Sequence, residues 1–185
     1  MRAFTLFFYE AVMHPSKIGA LFPSSKRLAY CLTEQIIGSP PGVIVELGAG
    51  TGAITAALMS QKKFFHQLIV IERSVKLSSH LMQRFPQLNI IQGDACELHR
   101  LIRHSISDPI QAIVSSLPLR TLSSSFLKKM GDEINQVLSK GGLYIQYTYN
   151  LWGKPLFPST QLKLVHQRRV WKNLPPARID VFRHE

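Results

Sequence analysis

Val45-Glu46-Leu47-Gly48-Ala49-Gly50-Thr51-Gly52 ends an apolar run with glycines at alternate positions. Such a backbone turns tightly and passes close to another group, because a side chain would hold that group off and because the turn calls on positive φ. The flanks show where this happens. Residues 42–47 read as a buried strand and 54–60 as a helix, so the glycines lie at the carboxyl edge of a strand, where open α/β folds bind ligands.

The alternation continues along the chain. Strands are expected over 67–71, 89–91, 112–115 and 142–149, the last opened by a Gly-Gly turn, with helices over 75–85, 96–104 and 124–138. Strands alternating with helices imply a parallel sheet covered on both faces. The last segment breaks the pattern, since 162–171 and 178–182 read as two strands joined around Pro175-Pro176. The expected fold class is α/β: a doubly wound, mostly parallel seven-stranded sheet finished by an antiparallel pair. Residues 1–40 are expected to form a leader covering cofactor and substrate, and 41–185 the main domain.

A chain of 185 residues with 45% hydrophobic composition can bury one core, which agrees with one sheet. No run reaches the roughly 18 to 20 apolar residues needed to cross a bilayer, and no signal-peptide pattern opens the chain, so a cytoplasmic location is expected. Cys31 and Cys96 lie far apart without CxxC spacing, which suits a reducing compartment. Cys96 and His99 have a metal-like spacing but no second ligand pair, so no metal is expected. The net charge of +11 favours a polyanionic partner, either nucleic acid or an acidic membrane. Both ends of the chain are basic, and residues 151–185 carry seven cations against Asp180 and Glu185.

The glycines and Glu72, a carboxylate at the end of the second strand placed to accept from ribose hydroxyls, together indicate an adenosine cofactor. A P-loop is excluded because no Lys-Ser or Lys-Thr follows the glycines. Gly48, Gly50 and Ala53 fit a dinucleotide fingerprint formally. Against it, Glu46 would repel a pyrophosphate while suiting a cationic or amino-bearing ligand, and no second domain remains to hold a hydride acceptor.

These residues resemble the class I S-adenosylmethionine-dependent methyltransferases. Glu46, Leu47, Gly48, Ala49, Gly50, Thr51 and Gly52 look like the first motif of that family. Glu72, followed by Arg73, is similar to its ribose-binding acid, and Gly93-Asp94-Ala95 to the motif whose aspartate contacts the adenine amino group. The resemblance implies S-adenosylmethionine as cofactor, S-adenosylhomocysteine as product, and no metal. Ser115-Ser116-Leu117-Pro118-Leu119 stands where amino methyltransferases keep an Asn/Asp-Pro-Pro-Tyr-like element, which places Ser116 beside both cofactor and acceptor.

Two acceptors compete. The motif order is similar to that of the ribosomal RNA adenine dimethyltransferases, but Leu119 replaces the aromatic that would stack a flipped base, and their helical C-terminal domain is not seen. The leader favours a lipid. Phe4, Phe7, Phe8, Ala11 and Val12 recur at helical spacing over 2–13, and Lys17, Lys26 and Arg27 follow, a pattern that suits an anionic membrane interface as well as docking on the core. The leader, Leu117-Pro118-Leu119 and Gln146-Tyr147-Thr148-Tyr149 resemble bacterial phospholipid N-methyltransferases. That resemblance implies stepwise methylation of phosphatidylethanolamine by a peripheral membrane enzyme. Carbonyls near Ser116 and Leu117 are the expected acceptors for the amine. Tyr9, Tyr147 and Tyr149 are the expected ring faces for its cation.

Overall fold

The computed structural model describes residues 23–37, 41–106, 108–173 and 176–185. The expected helix over 2–13, with its phenylalanine stripe and Tyr9, lies outside them, as does Pro175.

Seven strands form one sheet in the order β3-β2-β1-β4-β5-β7-β6. They are β1 (Val43–Leu47), β2 (Gln67–Glu72), β3 (Asn89–Gln92), β4 (Ile110–Ser115), β5 (Leu138–Thr148), β6 (Leu162–Val170) and β7 (Ala177–His184). The pairs β1/β2, β1/β4, β2/β3 and β4/β5 are parallel, whereas β7 runs antiparallel to both β5 and β6. The expected architecture is the observed one. β1 and β4 are buried along their whole length, the mark of a central strand covered on two faces.

Alternation along the strands divides the core. On one face Ile44, Val70, Val114, Ile145 and Ile179 pack beneath helices α1 (Pro23–Thr33), α2 (Ala53–Ser60) and α3 (Val75–Arg84). On the other, Val45, Ile71, Ile113 and Tyr144 meet α4 (Leu98–Ile102) and α5 (Ser124–Val137). Helix α1, absent from the sequence expectation, opens on Pro23, whose fixed φ suits a first helical position. Its Leu28, Ala29 and Leu32 are buried, and the Glu34 carboxylate just beyond it accepts a hydrogen bond from Arg168 on β6.

Two boundaries differ from expectation. β5 begins at Leu138, before the Gly-Gly pair, because Gly141 at φ 81° takes up an irregularity in its pairing with β4 instead of ending the strand. The helix expected over 96–104 is a 3-10 turn, Ala95–Glu97, followed by the short α4. The Asp94 side chain accepts from the Cys96 N–H and starts that turn. β6 is a solvent-facing edge whose charges and bulge near Leu164 oppose pairing with another chain.

Helix α5 meets the segment before β6 where Gly131 leaves room for the Pro158 carbonyl oxygen, into which a Cβ would collide. Gly131→Ala should therefore cost ~1–3 kcal/mol by overpacking. A melting temperature several degrees lower would show it, and an unchanged one would mean that the loop yields freely.

Candidate active site

At the carboxyl edge of β1 the chain takes positive φ at Gly48 (71°) and Gly50 (58°). Each glycine answers a different need. A Cβ on Gly48 would lie 2.7 Å from Leu117 Cδ2, so the glycine admits Leu117, whereas a Cβ on Gly50 would meet nothing within 4 Å and would project into open space. Glu72 braces the loop, its Oε2 accepting from Gly50 N at 2.9 Å and its Oε1 from Ser74 N at 2.9 Å. One lone pair on each of these oxygens stays available for a ribose hydroxyl. At the end of β3, Asp94 Oδ2 stands 3.6 Å from Arg73 Nη1, with Ala95 buried beside it.

Glu46 is wholly buried on the face shared with α2. Its Oε2 accepts from Thr55 Oγ1 at 2.7 Å, and its Oε1 has no hydrogen-bond partner. Burial, opposed by the Thr55 hydrogen bonds and reinforced by the charge of Glu72, raises its pKa from the ordinary 4.5 to about 7. A buried carboxylate oxygen without a donor suits an amino-bearing, cationic ligand. The open space at Gly50, the unpartnered Glu46 oxygen and the carboxylates of Glu72 and Asp94 together fit S-adenosylmethionine, with its hydroxyls, amino group and sulfonium charge.

The second half of the site is a cavity of about 550 Å³ bordered by Ser116, Leu117, Gln146, Tyr147, Tyr149 and Trp152. Of the residues expected to serve the acceptor it gathers Ser116, Leu117, Tyr147 and Tyr149, while Tyr9 lies outside the described residues. Glu46, Gly48, Ala49, Gly50, Gly52, Glu72, Arg73, Asp94 and Ala95 lie outside its lining, and Leu117 links the halves by touching Gly48. Ser116 Oγ is buried without a partner and is poised to bond a polar ligand. The Leu117 carbonyl departs from expectation. It accepts from Leu119 N at 2.9 Å and from Gln146 Nε2 at 3.0 Å, so both of its lone pairs are used and it holds the loop instead of the amine.

Gln146 had no role assigned from sequence and proves to be the loop's clamp. Its Oε1 accepts from Tyr144 Oη at 2.9 Å, while Nε2 also donates to the Tyr147 carbonyl at 2.8 Å. Asp180 lines the cavity as well, in a buried pair with Arg178 at 2.7 Å. A charged pair two residues apart in an apolar strand is the sequence signal that marks it. The Tyr147 and Tyr149 rings meet edge to face, centroids 5.8 Å apart. Burial raises the Tyr147 phenol well above its ordinary value and that of Tyr149 to about 12, so both act as rings and hydroxyls, not as phenolate bases. Burial likewise raises the Cys96 thiol to about 11, which removes it as a nucleophile at neutral pH.

The shift at Glu46 predicts a pH dependence. Because the folded state holds this proton more tightly than the unfolded chain, the contribution is greatest below pH 4.5, falls as pH rises to about 7, and is flat beyond. Glu46→Gln should remove that slope and make the cofactor-free protein relatively more stable at pH 8 than at pH 5, by up to roughly 3 kcal/mol. Urea unfolding at both pH values checks this, and parallel curves for the two proteins would refute it.

No protein-family model matches the chain. It is 28% identical over 183 residues to the ornithine lipid N-methyltransferase of Singulisphaera acidiphila, covering 96% of this chain and 94% of the relative. A ribosomal RNA small subunit methyltransferase A from Chlorobium chlorochromatii is 30% identical over 110 residues, 60% of this chain and 40% of that protein. Among solved structures, a TehB-like S-adenosylmethionine-dependent methyltransferase from Corynebacterium glutamicum superposes with a TM-score of 0.64 at 16% identity, over 100% of both chains, and supports the fold alone. The glycine loop, the two carboxylates that flank it and these likenesses make the chain similar to class I S-adenosylmethionine-dependent methyltransferases and, along nearly its whole length, to a lipid N-methyltransferase.

Proposed function

We propose that this enzyme methylates the amine of phosphatidylethanolamine, and then its mono- and dimethylated products, at the anionic inner face of a membrane. The observation that carries this reading is the likeness to a lipid N-methyltransferase over 94% of that protein, against 40% for the RNA enzyme. Among the described residues no helix is long and apolar enough to cross a membrane, so the proposed association is peripheral.

When bound, S-adenosylmethionine supplies an electrophilic methyl group on a sulfonium and leaves as S-adenosylhomocysteine. Gly50 would give it a close backbone approach within the loop that Gly48, Ala49 and Gly52 shape, Glu72 would hold its ribose, Asp94 and Ala95 its adenine, and the Glu46 carboxyl group its amino group. Arg73 orients Asp94 through their ion pair. The chain's remaining task is to present a neutral amine and exclude water from the line of transfer. A lipid ammonium entering the cavity loses one proton to solvent at the open side. Ser116 Oγ, buried and unpartnered, then accepts an N–H hydrogen bond from the unmethylated or monomethylated amine and turns its lone pair toward the cofactor side, whereas the dimethylated amine, which has no N–H, is oriented by the walls of the cavity alone. Gln146 keeps that loop in place by holding the Leu117 carbonyl. The Tyr147 and Tyr149 rings stabilise the alkylammonium that forms, by ~0.5–2 kcal/mol of cation–π attraction.

The named relative favours a second acceptor, the amine of an ornithine lipid. Radiolabelled methyl should pass from S-adenosylmethionine to phosphatidylethanolamine in vesicles containing phosphatidylglycerol, and fall at least a hundredfold in Gly50→Arg, whose side chain fills the cofactor's space. Label in ornithine lipid alone would select the second reading. Label confined to deproteinised ribosomal RNA would overturn both.

A further inference from the structure

Beside the cavity stands a surface that transfer chemistry does not require. Trp152 and Trp171, the only two tryptophans of the chain, are 76% and 58% exposed. Their ring centroids lie 6.2 Å apart at 51°, so residues from the β5–β6 connection and the end of β6 make one apolar plate. The Arg169 guanidinium sits 4.6 Å from the Trp152 centroid, and its Nε donates to the Leu151 carbonyl. Arg178, buried beneath, donates to the same carbonyl, which ties the plate to β7. Trp152 and Leu151 also line the cavity, so the plate forms its mouth.

The surroundings are cationic. Arg120, Lys154, Arg169 and Lys172 are exposed, and among the described residues none of them is in an ion pair. Arg120 Nη2 donates to the Lys154 carbonyl at 2.7 Å, which brings two of these cations together at the rim. Exposed tryptophan is costly in water and favoured at a membrane–water boundary, where its ring sits among headgroups and its N–H keeps a partner. Each basic residue near an anionic bilayer adds about 1 kcal/mol of attraction. An RNA platform would need open ring faces for stacked bases, but here the rings are tilted against each other and Arg169 covers part of Trp152.

We propose that the Trp152–Trp171 plate and its collar of Arg120, Lys154, Arg169 and Lys172 are the surface by which the cavity mouth docks on an anionic bilayer. The proposal rests on the lipid reading above and names the face that meets the lipid. In this orientation the amine enters from the headgroup layer while its acyl chains stay in the membrane.

Because both tryptophans lie in the plate, intrinsic fluorescence reports on it directly. Vesicles of phosphatidylglycerol and phosphatidylcholine with brominated acyl chains should shift the emission to the blue and quench it, whereas pure phosphatidylcholine should have little effect. Arg169→Gln should weaken partitioning about fivefold. Trp171→Ser should weaken it several-fold while leaving transfer to a short-chain phosphatidylethanolamine in detergent unchanged. Vesicle binding with unaltered emission would overturn the proposal by placing the contact elsewhere. Absence of binding to anionic vesicles, or quenching by a single-stranded oligoribonucleotide without a vesicle response, would overturn it too. Transfer to the detergent-dispersed lipid separates the two failures: it persists if only the docking face is wrong and is absent if the lipid reading is.

Discussion

The two loops at the carboxyl edge of this sheet meet where the Leu117 side chain packs against the backbone of Gly48, with Ser116 N donating to the Leu47 carbonyl beside it. At Gly48, where φ of 71° already disfavours a side chain, a Cβ would come within 2.7 Å of Leu117 Cδ2, so the leucine side chain would have to turn away. Two loops that are far apart in sequence thus lie side by side, the first carrying the glycines and the second bordering the cavity. Gln146 locks the arrangement from the neighbouring strand through hydrogen bonds to Tyr144, the Leu117 carbonyl and the Tyr147 carbonyl. Buried amide clamps of this kind set geometry well because every unmade bond would be expensive.

Electrostatics sets the polarity of the site. Glu46 and Glu72 bracket the glycine loop, one wholly buried and protonated up to neutral pH, the other bonded to backbone N–H groups. A cationic ligand relieves the first and shares the second. The cavity beside the glycine loop carries its own buried pair, Arg178–Asp180, in which the charges answer each other. It therefore offers a ligand aromatic rings and a hydroxyl instead of a free carboxylate.

Most of the fold was legible in the sequence because it rests on strong local signals. The apolar runs of β1 and β4 are too continuous for half-exposed strands, and the glycine loop admits few readings between a strand and a helix. The antiparallel end was legible from the break in alternation after residue 150. What escaped depends on packing. Helix α1 has a weak apolar pattern and owes its place to burial against α2. Gly141 looks like a turn but lies within a strand, since the β4 register shift absorbs it. In the site, residue types were readable and directions were not. Sequence points to the Leu117 carbonyl as an acceptor for substrate, yet only the position of Gln146 shows that it is already taken. The tryptophan plate was equally hidden, because Trp152 and Trp171 meet only once β6 has folded back.

The claim on which the rest stands is that an adenosine cofactor sits between Glu46 and Glu72 over Gly50. Calorimetric titration with S-adenosylhomocysteine, which lacks the reactive methyl, tests it without any assumption about the acceptor. The account predicts one equivalent bound to the natural chain and an affinity lower by about tenfold or more in Glu72→Gln, which loses charge-assisted hydrogen bonds at nearly constant shape. No binding to the natural chain, or equal binding by both proteins, would contradict it.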